Sequence, residues 1–102
     1  MLQISPKELK EKLSAKEDIF LLDVRELYEH EVFNIGGKLI PLADIISNAN
    51  DIPKNKPVVV YCKMGIRSQI AIQRLQEKFD FTNLINLKGG MERWKKTFSS
   101  EY

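Results

Sequence analysis

Cysteine is almost missing from this chain: its 102 residues include one, Cys62, and one histidine, His30. A lone cysteine excludes an intramolecular disulfide and fits a reducing compartment. One Cys and one His cannot make a zinc-type ligand set, so no metal is expected. Charge of one sign is scarce too. Sixteen basic side chains stand against fourteen acidic ones, a formal +2, with both signs mixed along the chain. That balance gives little reason to expect nucleic acid or an anionic membrane as a partner. The longest apolar runs are of strand length, so no segment is expected to span a membrane. The start, MLQISPKELKEKL, is broken by Ser5, Pro6, Lys7 and Glu8 and has no apolar core of a secretion signal. A soluble, cytoplasmic protein is the expectation.

What is present is ordinary globular composition, 43% hydrophobic and 29% charged. The length predicts one small domain over residues 1–102, with no repeat or linker dividing it. Such a chain buries roughly two-thirds of its unfolded surface, enough for a core without disulfides or metals. SPKE (Ser5–Glu8) combines an N-cap serine, a proline at the first helical position and a glutamate that completes a capping box. A helix to about Leu13 should follow. IFLLDV (Ile19–Val24) and VVVY (Val58–Tyr61) are near-continuous apolar runs, as parallel strands buried on both faces require. KLIPL (Lys38–Leu42) reads as a short strand whose ladder Pro41 ends, and NLINL (Asn83–Leu87) as another.

Ile70, Ala71, Ile72, Leu75 and Phe79 recur with helical spacing, predicting a helix from Ser68 to about Lys78. RELYEHEVF reads as a short polar helix or turn, ADIISNAN as one or two helical turns, and MERWKKTF as a last helix. Strands alternating with helices predict an α/β fold, a central, mainly parallel sheet flanked by helices on both faces.

In such a sheet, ligands bind at the loops leaving the carboxyl ends of the strands. Cys62 directly follows VVVY and so sits at that edge. The segment Lys63, Met64, Gly65, Ile66, Arg67 then leads to a helix opening near Ser68. A tight strand-to-helix loop can turn its N–H groups inward toward an anion, and the positive helix end points to the same place. Gly65 gives the loop its turn; Lys63 and Arg67 add positive charge. A free cysteine is often a small buried hydrophobe. A packed cysteine needs neither glycine nor arginine after it, so an activated thiolate nucleophile that needs no histidine base is the better reading.

The stretch YCKMGIRS resembles the active-site loop of rhodanese-like domains. ISPKEL is similar to that family's opening strand and helix, LLDVRE to its Asp-Val-Arg strand end, and NLKGGMERW to its closing Gly-Gly…Trp segment. The resemblance covers almost the whole chain. It implies a sulfurtransferase in which Cys62 takes a sulfane sulfur from a donor such as thiosulfate or a persulfide. The resulting persulfide passes the sulfur to cyanide, a thiol or a protein, with no cofactor. Lys63, Met64, Gly65, Ile66 and Arg67 would form the amide cradle, with Ser68 opening the helix. Asp23 and Arg25 would lie beside the loop as an ion pair that holds its shape, a contact between Arg25 and substrate being the sharper alternative. The chain departs from the family where FNIGG (Phe33–Gly37) places Asn34 at a position that is often histidine. Met64 and Ile66 also make the loop more apolar than usual, which favours a bulky thiol or a protein over a small hydrated anion.

Two rival functions use similar parts. Cysteine-dependent phosphatases and arsenate reductases place one residue more between Cys and Arg, enough to ring a tetrahedral phosphate, and this loop has no acid for general catalysis. A regulatory or docking module would be non-enzymatic, but such domains typically lack the cysteine; a persulfide carrier serving one protein partner would keep it. His30, among polar neighbours, reads as an exposed turn residue. Asp23 and Glu26, with Arg25 between them, read as a structural ion pair. Trp94 and Phe98 read as core, and Gly89–Gly90 as the turn into the last helix.

Overall fold

The computed structural model describes residues 1–101. Along the chain run β1 (Gln3–Ile4), α1 (Pro6–Ser14), β2 (Phe20–Asp23), α2 (Leu27–Val32) and β3 (Lys38–Leu39). Short 3-10 turns at Leu42–Asp44 and Ala49–Asp51 lead to β4 (Val58–Tyr61), α3 (Ile66–Lys78), β5 (Leu84–Leu87) and α4 (Gly90–Thr97). A last 3-10 turn covers Ser99–Glu101. The strands form one sheet in the order β1-β5-β4-β2-β3. Every pairing is parallel, with Leu21 beside Val59 and Val60 beside Asn86.

Parallel strands need crossovers, and the helices that make them cover both faces. β4 lies at the centre, and its four side chains have no exposed surface. Alternation along the strand sends Val58, Val60 and Cys62 to one face and Val59 and Tyr61 to the other. The first face packs on Ala71, Ile72 and Leu75 of α3 and on Ile45, Ala49 and Ile52 from the 3-10 region. The second packs on Leu9 of α1 and on Met91 and Trp94 of α4. Trp94 and Phe98 meet edge to face at 4.8 Å, as their helical spacing predicts. Among the described residues no helix is long and apolar enough to cross a membrane.

The start signals of α1 work as their chemistry requires. The Ser5 hydroxyl accepts from the Glu8 N–H at 3.1 Å, and the Ser5 N–H donates to the Glu8 carboxylate at 3.1 Å. Two boundaries differ from expectation. β3 stops at Leu39, short of Pro41, although the Ile40 N–H still bonds Asp23 O and the Leu42 N–H bonds Val24 O just beyond it. β3 is an edge strand, so the missing proline N–H falls on the side with no neighbour. Helix α3 begins at Ile66, not near Ser68, because Gly65 takes φ +87° and turns the chain into the helix at once.

Ile72 is fully buried on the α3 face. Truncation to alanine is expected to cost about 2–5 kcal/mol. Urea denaturation should show it as a lowered midpoint with an unchanged slope.

Candidate active site

The sulfur of Cys62 ends the run of side chains pointing to the α3 face and is almost fully buried. The connection from β4 to α3 is four residues, Cys62, Lys63, Met64 and Gly65. That shortness folds the first helical turn back over the strand end. The Gly65 N–H donates to Sγ at 3.1 Å and the Ser68 N–H at 3.4 Å. Gly65, at the N-cap position, has no side chain to accept from that turn, so the cysteine sulfur accepts the Ser68 N–H instead. Two amide donors and the positive end of a 13-residue helix therefore meet one nucleophilic atom. Both suit an anion there.

Behind the sulfur runs a buried polar relay. Ser68 Oγ lies 3.4 Å from Sγ and donates to Asn86 Oδ1 at 2.5 Å, and Asn86 Nδ2 donates to Gln3 Oε1 at 3.4 Å. Ser68 and Asn86 are both buried, so each needs such a partner. The sequence reading included Ser68 but not Asn86. Its one signal was an amide at an inward position of an otherwise apolar strand, LINL.

The far side of the loop is pinned by α4. The Met91 N–H donates to Cys62 O and the Glu92 N–H to Lys63 O, each at 2.9 Å. This approach requires Gly90, at φ +58°: a Cβ there would run into Cys62 O and come within 2.7 Å of the Lys63 carbonyl. The Gly-Gly pair thus opens α4 and also admits the cysteine loop against it. Gly90→Ala is expected to cost more than about 2 kcal/mol by displacing the loop. Slower alkylation of Cys62 in the still-folded variant would register that displacement.

Asp23 and Arg25 form a buried pair with Nε–Oδ1 at 2.9 Å and Nη2–Oδ2 at 2.8 Å, and the Arg25 N–H also donates to Oδ1. Their other bonds run to α2 and the segment after it, not to the cysteine loop. Arg25 Nη2 donates to Phe33 O at 2.6 Å, and His30 Nδ1 lies 2.8 Å from Asp23 Oδ2. His30 is thus no free turn residue: from the last turn of α2 it reaches back to the end of β2. Glu26 takes no part in that pair; it caps α2, its N–H donating to the Glu29 carboxylate at 3.1 Å. Asn34 ties the loop that follows, donating to His30 O and accepting from the Gly36 N–H. Tyr61 donates its hydroxyl to Gly36 O at 2.8 Å, and burial followed by the Asp23 charge pushes its phenol upward, keeping it a neutral donor.

Arg67 is the largest departure. Its guanidinium does not point freely into the loop but makes a bidentate bridge to Glu29 of α2, at 2.7 and 2.9 Å. Cys62, Lys63, Met64, Ile66 and Arg67 line a cavity of about 150 Å³. Lys63 also borders a groove of about 370 Å³, whose other walls include Arg25, Glu29, Val32 and Met91. Met64 and Ile66 are 53% and 60% exposed, an apolar rim to the mouth.

The Arg67 hydrogen bonds draw the Glu29 carboxyl from an ordinary 4.5 down to about 2. A carboxylate held low in the folded state stabilises it fully above the unfolded value and ceases to do so as pH falls to the folded one. Stability should therefore drop between about pH 4.5 and about pH 2. The drop should be shallower in Glu29→Gln, as read by denaturant midpoints across that range.

A family model described as the rhodanese-like domain matches residues 5–97. Over 84 residues the chain is 39% identical to thiosulfate sulfurtransferase GlpE of Coxiella burnetii, covering 81% of this chain and 78% of that one. Over 93 residues it is 36% identical to the putative sulfur carrier protein YrkF of Bacillus subtilis. That match takes in 90% of this chain, which spans only 50% of the relative's length. The solved structure of a rhodanese-like domain protein from Staphylococcus aureus superposes with a TM-score of 0.83 at 32% identity, covering 92% of this chain and 91% of that one.

Proposed function

The chain belongs to the rhodanese-like domain family, and on that premise we propose that it is a sulfurtransferase working through a persulfide on Cys62. The observation that carries this reading is the placement of Sγ. It sits at the N-terminus of α3, takes the amide hydrogens of Gly65 and Ser68, and belongs to a residue that lines a small cavity.

The Cys62 thiolate attacks the outer, sulfane sulfur of the donor. The donor's S–S bond breaks with its electron pair leaving on the remainder, which is sulfite when thiosulfate is the donor. The transferred atom becomes the terminal sulfur of the persulfide, and the amide donors of the loop suit the negative charge it carries. A thiolate or cyanide acceptor then attacks that terminal sulfur, and the pair of the breaking S–S bond returns to Cys62. Neither step calls for a metal or an organic cofactor. Lys63, beside the cavity, offers an anionic donor a cation, and Ser68 with Asn86 fixes the geometry behind the sulfur. Asp23 and Arg25 position α2, the wall from which Glu29 reaches the loop.

The rim supports a protein thiol as one acceptor, because Met64 and Ile66 expose apolar surface beside the cysteine. Four residues separate Cys62 from Arg67. That spacing, with Arg67 turned to Glu29, gives a phosphoryl group no closed ring of donors.

Intact-mass measurement tests the reading. Protein incubated with thiosulfate or a thiol persulfide should gain one sulfur atom and lose it on addition of cyanide or a thiol. Cys62→Ser should neither gain sulfur nor turn over, while keeping its thermal transition. Full transfer activity in that variant would defeat the mechanism, and hydrolysis of an aryl phosphate without sulfur gain would move the protein to the phosphatase class.

A further inference from the structure

Both oxygens of Glu29 are occupied by Arg67, in the first turn of α3, across 38 residues of sequence. The carboxylate is fixed in place twice over. It sits in the first turn of α2, and one oxygen also accepts the Glu26 N–H. The two side chains are 14% and 33% exposed for Glu29 and Arg67, so water screens this pair less than a surface one. Arg67 lines the Cys62 cavity, Glu29 lines the adjoining groove, and Lys63 borders both. The bridge therefore joins a residue lining one space to a residue lining the other. With both its donors seated on Glu29, the Arg67 guanidinium is not free to take a second anion at the mouth.

We infer that Glu29 is a specificity-determining residue. By holding Arg67 it biases the site toward donors whose reacting end carries at most one negative charge, the persulfide of a thiol, over the dianion thiosulfate. This inference rests on the sulfur-transfer reading above and names its donor class. A dianion approaching the sulfur must compete with a carboxylate already seated on the guanidinium. A persulfide, R–S–S–H, brings no second charge. Cys62–S⁻ attacks its outer sulfur, the S–S bond breaks, the pair leaves as R–S⁻, and the outer sulfur stays on Cys62 with its proton. Charge and atoms balance with no other reactant.

Two alkylating reagents of nearly the same size, iodoacetate and iodoacetamide, read the charge preference of the mouth without any sulfur transfer. The ratio of their rates at Cys62 cancels changes in thiolate fraction. Glu29→Gln keeps an oxygen for the Glu26 N–H, so the helix cap survives, while it removes the charge and the second acceptor for Arg67. It should raise the iodoacetate-to-iodoacetamide ratio about five- to tenfold at low salt. In an Arg67→Gln background the same change should move the ratio by no more than about twofold, because the two residues act as a pair. Loading should follow: the wild-type protein takes sulfur faster from cysteine persulfide than from thiosulfate, and Glu29→Gln narrows that gap. An unchanged ratio in Glu29→Gln would overturn the inference, and so would an equal rise without Arg67. Faster wild-type loading from thiosulfate would overturn the donor class. Loading from neither donor would instead defeat the sulfurtransferase reading, and the alkylation ratios would still decide whether Glu29 governs charge at the mouth.

Discussion

Two backbone N–H groups aimed at one sulfur are the constraint around which this molecule is arranged. Gly65 and Ser68 can both reach Cys62 only because a central parallel strand runs into a helix through four residues, Cys62 itself the first. A longer connection would let the helix start elsewhere, and its N-terminal donors would find water. The strand must be held from both faces for its end to be a fixed point, and Val58 to Tyr61 have no exposed surface. Burial on that scale contributes about 1.5–3 kcal/mol for each large apolar side chain. The sheet is in this sense the mount for one atom. Gly90 supplies the opposite restraint, letting α4 bond the carbonyls of Cys62 and Lys63 while the helix α3 holds the sulfur.

The wall of the site facing the loop is built differently. Helix α2 contributes no buried residue, so apolar packing does little to fix it. Polar anchors take that part. Asp23 holds His30 and Arg25, Arg25 holds Phe33 O, and Glu29 holds Arg67. Removing one partner from the buried Asp23–Arg25 pair would strand a charge in the interior, an expensive event. The same set of contacts that seats α2 therefore sets the charge seen at the mouth of the cysteine cavity. Position and electrostatics are not separable here.

Much of this was legible beforehand, for identifiable reasons. The SPKE start signal acts within three residues, so local chemistry decides it, and the capping box forms as written. The apolar runs around β2 and β4 are continuous because both faces are covered, and that pattern is visible in one dimension. Cys62, Gly65 and Ser68 share a short segment, and their meeting follows from the segment's length. The boundary errors were also physical. Helix α3 starts two residues before the expected Ser68: Ile66 and Arg67 look like loop residues by composition, while the left-handed Gly65 decides the turn. β3 is shorter than the KLIPL run, and Pro41 is accommodated just beyond it because β3 lies at the edge, a property of the sheet order.

The residues that escaped are those whose partners lie far along the chain. Glu29 sits in a polar run where nothing marks one glutamate from its neighbours, and its partner is 38 positions away. Asn86 reaches Ser68 across two elements, and His30 finds Asp23 only after α2 folds back over β2. Short-range chemistry in the chain was enough to specify the fold class and to single out Cys62 as the candidate nucleophile, because caps, alternation and loop length act between near neighbours. The charge at the mouth and the relay behind the sulfur came from the packing of distant segments, because Coulomb and hydrogen-bond energies depend on separation in space, to which separation in sequence is a poor guide.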